Sequence, residues 1–289
     1  MEAVFATAVA AILSRDRELA RTGDPDDIHK SRVATRRLRA EIRLLRPVLV
    51  RSVADHLGEE LKWLAGALGE VRDIDVRLED LEPRVAALGP ADVAGGRQLL
   101  AALLAERERA NAHLLAMIES PRYGALLDDL VTAAADPPLL PGDWRAEAPA
   151  RCVLPKLVGK RWARLRADVA QLDDNPSVEA LHEIRKGAKK LRYAAELASP
   201  IVGKPAAKMA KAAEGLQGVL GEHHDASETE GWLRHHAILS GSPSLAVTAG
   251  ELVAAERHRA DRFRRQWPQK WHRLKKKTPR RWLKHAPVL

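Results

Sequence analysis

Apolar residues return along this chain every three or four positions, and nowhere do they alternate residue by residue. One such set is Leu38, Ile42 and Leu45, and another is Ile184, Leu191 and Ala195. This spacing makes the buried stripe of an amphipathic helix, whereas a half-buried strand needs period two. Clusters of turn and cap residues, "TGDPD", "LGPADVAGG", "LDDNPS" and "SGSPS", interrupt the stripes. The pattern predicts helices at about 1–20, 26–50, 53–82, 92–130, 155–172, 178–200, 204–236 and 244–266. Asp24-Pro25 and Asn175-Pro176 each offer an N-cap followed by a proline suited to a first turn. An apolar set rich in Ala and Leu, with only 4% aromatics, favours helix over strand as well.

The order of these segments repeats. "HKSRVATRRLRAEIRLL" from His29 returns as "HEIRKGAKKLRYAAELA" from His182, 153 residues later, and the basic type of several positions is kept. His29, Arg32, Arg36, Arg37, Leu38 and Arg39 align with His182, Arg185, Lys189, Lys190, Leu191 and Arg192. "LGEVRD" at 68–73 matches "LGEHHD" at 220–225, and "AERERAN" at 105–111 matches "AERHRAD" at 255–261. The N-terminal "VFATAVAAILSRDREL" finds its counterpart in "LVGKRWARLRADVAQL". Four helices per copy predict two four-helix bundles. The Pro-dense stretch "ADPPLLPGDW" at 135–144 marks the boundary, which divides the chain into domains 1–140 and 141–289.

Composition narrows the functional classes. At 289 residues the chain can bury a sizeable core, and 46% hydrophobic residues make a globular composition instead of a disordered basic tail. Cys152 is the only cysteine, so an internal disulfide and a Cys-rich zinc site are excluded. Glu2 precedes the first apolar run, the wrong polarity for a signal peptide, and no run approaches the roughly 20 apolar residues of a membrane span. A soluble, cytoplasmic protein is expected.

A net charge of +9 and a pI near 9.8 point to an anionic partner. On a helix advancing ~100° per residue, His29, Arg32, Arg36, Arg39 and Arg43 share an arc of about 80°. The second copy places His182, Arg185, Lys189 and Arg192 in the same way, with Glu196 where Arg43 stood. A solvated surface is the simpler account of one basic face. Two features weigh against it: acids are almost absent from the face, and cations in a first turn oppose the helix dipole in both copies. A polyanion would reverse the sign of both energies, because helix N-termini and arginine forks both favour phosphate oxygens.

The paired "HxxRxxxRRLR" and "HxxRKxxKKLRY" strings, with the two "LGExxD" segments, resemble the CHAD (conserved histidine α-helical domain) family over nearly the entire chain. The resemblance implies an all-α fold of two pseudo-two-fold-related four-helix bundles, whose basic residues line a central groove or pore that binds inorganic polyphosphate. It carries the binding role to His29, Arg32, Arg36, Arg39, His182, Arg185, Lys189 and Arg192, flanked by Arg37, Lys186 and Lys190. Association with polyphosphate granules is implied too.

Other patterns leave alternatives. "EALH" and "DDIH" have the spacing of bundle metal ligands, yet the neighbouring arginines would repel a divalent ion and the acids also suit a first turn. "GEHHDASE" at 221–228 hints at a metal-dependent phosphohydrolase, but the first copy reads "GEVRD". Asp73 and Asp225 read better as partners that orient nearby arginines. No strand signature of a triphosphatase module and no nucleophile accompany the basic face, so neither turnover nor a cofactor is expected. Nucleic acid is a weaker competitor for the same charge, since no helix-turn-helix, RNP or zinc-finger signature occurs. The C-terminal stretch from Arg257, with Asp261 its only acid, reads as a groove extension, a mobile "KKKTPRR" arm or a solvated tail. Trp267, Trp271 and Trp282 there either stack on bases or staple the tail to the last bundle.

Overall fold

The computed structural model describes residues 9, 10, 12, 24–277 and 281–284. Helices make up nearly all of it. In chain order they are α1 (Pro25–Leu45), α2 (Arg51–Ala86), α3 (Val93–Ile118), α4 (Pro121–Ala135), α5 (Trp144–Glu147), α6 (Ala150–Ala170), α7 (Val178–Val202), α8 (Lys204–Leu239), α9 (Pro243–Lys277) and α10 (Arg281–Lys284). The described residues contain no strand, only an isolated antiparallel bridge between Leu49 and Leu139. Of the expected first helix, Val9, Ala10 and Ile12 are described; they are helical, and Val9 and Ile12 are buried. The rest of that expectation lies outside the described residues.

The chain forms two compact units, Met1–Ala146 with Ser242–Thr248, and Glu147–Gly241 with Ala249–Leu289. In the first, α2 is the central element, packed by α1, α3 and α4. Its core draws Leu57, Leu61, Leu64 and Leu68 from α2 and Ile28, Leu38 and Ile42 from α1, all at most 2% exposed. In the second, α7 packs between α6 and α8, and α10 returns onto α6. Leu181, Ile184, Ala188 and Leu191 of α7 are each at most 1% exposed. The apolar stripes read from sequence therefore face the cores.

Several boundaries differ from expectation, each for a local reason. The predicted helix 26–50 stops at Leu45, where Pro47 lies in a 3-10 turn, Arg46–Val48. The predicted 92–130 helix is two, because the Ser120 hydroxyl caps a new one that has Pro121 in its first turn. Asp24 caps α1 by accepting from the Asp26 amide at 2.8 Å. Asn175 does not cap α7. Ser177 takes that place, accepting from the Ala180 amide at 3.1 Å, and Asn175 Oδ1 instead accepts from Arg264 at 2.6 Å. α9 continues 11 residues beyond the expected 266, through Pro268. Trp271 meets Trp162 of α6 with ring centroids 5.5 Å apart and Leu274 is fully buried, so tertiary packing offsets the proline's lost hydrogen bond.

Candidate functional site

Each unit builds the same constellation from the same two segments. In the first, α1 presents His29 exposed, Arg32, Arg36 and Arg39 half-buried and Arg43 exposed. Arg32 reaches across to α2, where its guanidinium donates to Asp73 at 2.7 Å. A methyl group on Gly69 would lie 3.9 Å from Arg32 Nε, so the arginine crosses α2 at a position with no side chain. The second unit repeats this with Arg185 of α7, Asp225 at 3.9 Å and Gly221, where a methyl group would lie 3.6 Å from Arg185 Nε. The "LGExxD" segment thus has a physical meaning. Its glycine clears a path for the arginine, and its aspartate, one turn on, hydrogen-bonds the guanidinium in the first unit and faces it as an ion pair in the second.

The residues that accompany the two histidines were not anticipated. Arg72 of α2 lies near enough to His29 to depress its pKa, after the larger effect of burial and together with Arg32 and Arg36. At the matching position of the second copy stands His224, whose Nδ1 is 3.1 Å from His182 Nδ1, with ring centroids 4.0 Å apart. One imidazole must donate and the other accept, so both cannot be protonated while the bond lasts. Burial first, then His224, Lys186 and Arg185, push the His182 pKa down to about 4. The signal for both neighbours was the aligned "VRD" and "HHD" of the repeat.

The cationic rows are less acid-free than the helices alone suggest, because acids arrive from neighbouring positions. Arg192 Nε donates to Glu196 at 2.7 Å, and Glu214 of α8 lies 3.3 Å from its other end. Burial works against the Arg192 charge, but these two carboxylates prevail and its pKa is raised. Its counterpart Arg39 is in the opposite state: burial and then Arg43 lower its pKa, and its Nε is buried with no hydrogen-bond partner. Arg37 is tied to the buried Glu41 at 3.0 Å and Lys186 to Glu183 at 2.7 Å, so these two flanking cations are engaged within their own helices. Lys189 is half-buried and Lys190 exposed.

Most side chains of the metal-like patterns meet other partners. His223 is buried, with Arg264 and Asp261 acting on it; His224 meets His182, and Asp225 turns to Arg185. Glu179 accepts from its own amide and from Ser177 in the first turn of α7. Asp26 and Asp27 lie beside Lys30 at 3.9 and 3.8 Å. Among the described residues no group of three or more His, Cys, Asp or Glu could hold a metal ion. None of their helices is long and apolar enough to cross a membrane. Of the tail residues, Trp271 is a staple and Lys275–Lys277 are helical, while Thr278–Arg280 of the expected "KKKTPRR" arm lie outside the described residues.

Comparisons with known proteins agree with this architecture. Two uncharacterized Mycobacterium tuberculosis proteins, from strains CDC 1551 / Oshkosh and ATCC 25618 / H37Rv, are each 29% identical over 253 residues, covering 83% of this chain. The chain spans about half the length of these curated relatives, 46%. Among solved structures, PptA from Streptomyces chartreusis is similar with a TM-score of 0.76 and 25% identity, over 93% of this chain and 96% of that one. The CHAD domain from the plant Ricinus communis shares the fold, with a TM-score of 0.72 and 22% identity over 94% and 90% of the two chains. The CHAD domain model matches residues 3–234, the span that holds both copies of the histidine and arginine helix, and the chain belongs to that family.

Proposed function

We propose that this protein binds inorganic polyphosphate without turning it over, through the cationic rows of α1 and α7. The carrying observation is the repeated constellation, in which a histidine, a glycine-seated and aspartate-held arginine and two further cations recur in each unit. Holding Arg32 and Arg185 in place lowers the side-chain entropy lost when they meet a ligand. A linear polyanion matches a row of cations better than a compact one does, and the family is associated with polyphosphate. The site residues of this reading are His29, Arg32, Arg36, Arg39 and Arg43 in the first unit and His182, Arg185, Lys189 and Arg192 in the second. The acids close to the rows are held by arginines, which leaves little for general-base work. A cytoplasmic place at polyphosphate granules follows if the host makes them.

Calorimetric titration with long-chain polyphosphate tests the reading. A charge-assisted hydrogen bond is worth roughly 1.5–3 kcal/mol, so Arg36→Ala should weaken binding about tenfold or more. Lys189→Ala should cost less, since an ammonium lacks the bidentate fork. Negligible losses in both variants, or orthophosphate released from polyphosphate by purified protein, would overturn the proposal.

A further inference from the structure

The C-terminal half of α9 carries charge that neither the family match nor the repeat explains. The CHAD match ends at residue 234. The duplication supplies an internal control as well. "AERERAN" of α3 is followed by only seven further helical residues, to Ile118, with no Lys or Arg among them. "AERHRAD" of α9 is followed by sixteen, to Lys277, and residues 257–277 hold ten Lys and Arg against one acid, Asp261. The helical repeat therefore does not require this charge.

Two sets stand out among the cations of α9. Arg257 pairs with Glu230 at 2.7 Å, Arg259 with Glu222 at 2.7 Å, and Arg264 with Asn175 and the Pro176 carbonyl, so these three tie α9 to its own unit. His258, Arg262, Arg265, His272, Arg273 and Lys276 are all exposed, and at ~100° per residue they fall within an arc of about 100°. Asp261, the one acid, is exposed as well and lies about 20° outside that arc, from where it also acts on the buried His223. The stripe is rigid: Trp271 rests on Trp162, Leu274 is buried, and α10 packs back on α6. From Arg262 to Lys276 it runs about 21 Å at 1.5 Å per residue.

We infer that this stripe is a second anion-binding surface, and that it docks the phosphodiester backbone of double-stranded nucleic acid without reading sequence. Unlike the half-buried arginines of α1 and α7, these side chains are all exposed and would have to order a flexible phosphate chain in open solvent, whereas a duplex is already stiff over ~150 base pairs and meets a rigid row at little entropic cost. Single-strand binding by base stacking is disfavoured, because Phe263, Trp267 and Trp271 are at least half-buried and the Arg262 guanidinium covers the Phe263 ring at 4.8 Å. A bilayer surface fits less well, since none of the exposed large apolar side chains among the described residues falls between 257 and 277.

The test uses the full chain, fluorescence anisotropy, a 20-base-pair mixed-sequence duplex, oligo-dT and phosphatidylserine vesicles, between 50 and 200 mM salt. The wild type should bind the duplex whatever its sequence. The R262A/R265A/R273A/K276A variant should lose about 100-fold or more at the lowest salt, with the log–log salt slope reduced by about 3–4. Its polyphosphate affinity should stay within about twofold, and R262K/R265K/R273K, which keeps the charge, should keep the slope. The R36A/K189A variant should behave in reverse. Unchanged duplex binding in the quadruple variant, or vesicle binding by a wild type that ignores duplex, would sink the inference. Polyphosphate binding that survives R36A/K189A would count only against the function proposed above.

Discussion

Arg39 and Arg192 stand at equivalent positions of a duplicated helix, yet their surroundings give them different tasks. Arg39 has Arg43 beside it and an unbonded, buried Nε, and the opposing effect of Glu59 is smaller than that of Arg43, so an incoming phosphate meets a cation whose charge is less fully compensated than that of Arg192. Arg192 is already held by Glu196 and Glu214, and a phosphate must compete with both. Arg39→Ala should therefore weaken polyphosphate binding about tenfold or more, from the loss of a charge-assisted hydrogen bond of roughly 1.5–3 kcal/mol, and Arg192→Ala should cost clearly less. Glu196→Gln should tighten binding by releasing one of the two carboxylate contacts. Titration of the three variants checks the order, and a Glu196→Gln protein that binds more weakly than wild type would contradict it. The half-site difference was partly legible, because Glu196 stands openly at the Arg43 position. Glu214 was not, since it lies on another helix.

At the level of the helices, the joints depend on where a side chain is missing. A methyl group added to Gly95 of α3 would come 2.5 Å from Thr248 Oγ1 and 3.0 Å from the Ser244 carbonyl, both in the segment that begins α9. The Thr248 hydroxyl meanwhile lies 3.1 Å from both the Asp92 and Ser244 carbonyl oxygens, donating to this junction. Gly95→Ala should therefore destabilise the protein by about 1–3 kcal/mol through overpacking. Gly66 of α2 has nothing within 4 Å of the same addition. There the gain in helix propensity should prevail, and Gly66→Ala should stabilise by about 0.5–1 kcal/mol. Urea unfolding of the two variants should give midpoints displaced in opposite directions. In sequence Gly95 belongs to the "LGPADVAGG" turn cluster and Gly66 to an apolar helical stretch, but what a methyl group would meet at either depends on the neighbour across the joint.

For the whole molecule, histidine sets a pH dependence of stability. His29, His182 and His223 all have folded-state pKa values below 6.5, with burial the first cause in each. The unfolded chain therefore binds more protons than the folded one just below pH 6.5, so stability is full above that pH and declines as pH falls. For His182 the loss continues down to its folded value of about 4. Melting temperature should drop steadily between pH 7 and pH 4, and His182→Gln should flatten part of that slope; an unchanged slope would place the imidazole in an ordinary environment. Polyphosphate should bind more tightly as acid protonates His29 and His182, in a window below the 6.5 expected of a free imidazole. Much of this protein was legible before any coordinates: the helical period, the two copies, the apolar faces of α1 and α7 and the row of cations opposite them are all short-range patterns set by backbone periodicity. The sequence pointed to Asp73 and Asp225 as arginine partners, but tertiary structure decided which arginine each reaches, Asp73 coming to Arg32 from 41 residues away, and it alone brought His224 to His182 from 42. A linear pattern specifies which face of a helix a residue occupies, but the protonation and freedom of that residue depend on what the neighbouring helix brings within a few ångströms, because desolvation and charge–charge energies change most steeply there.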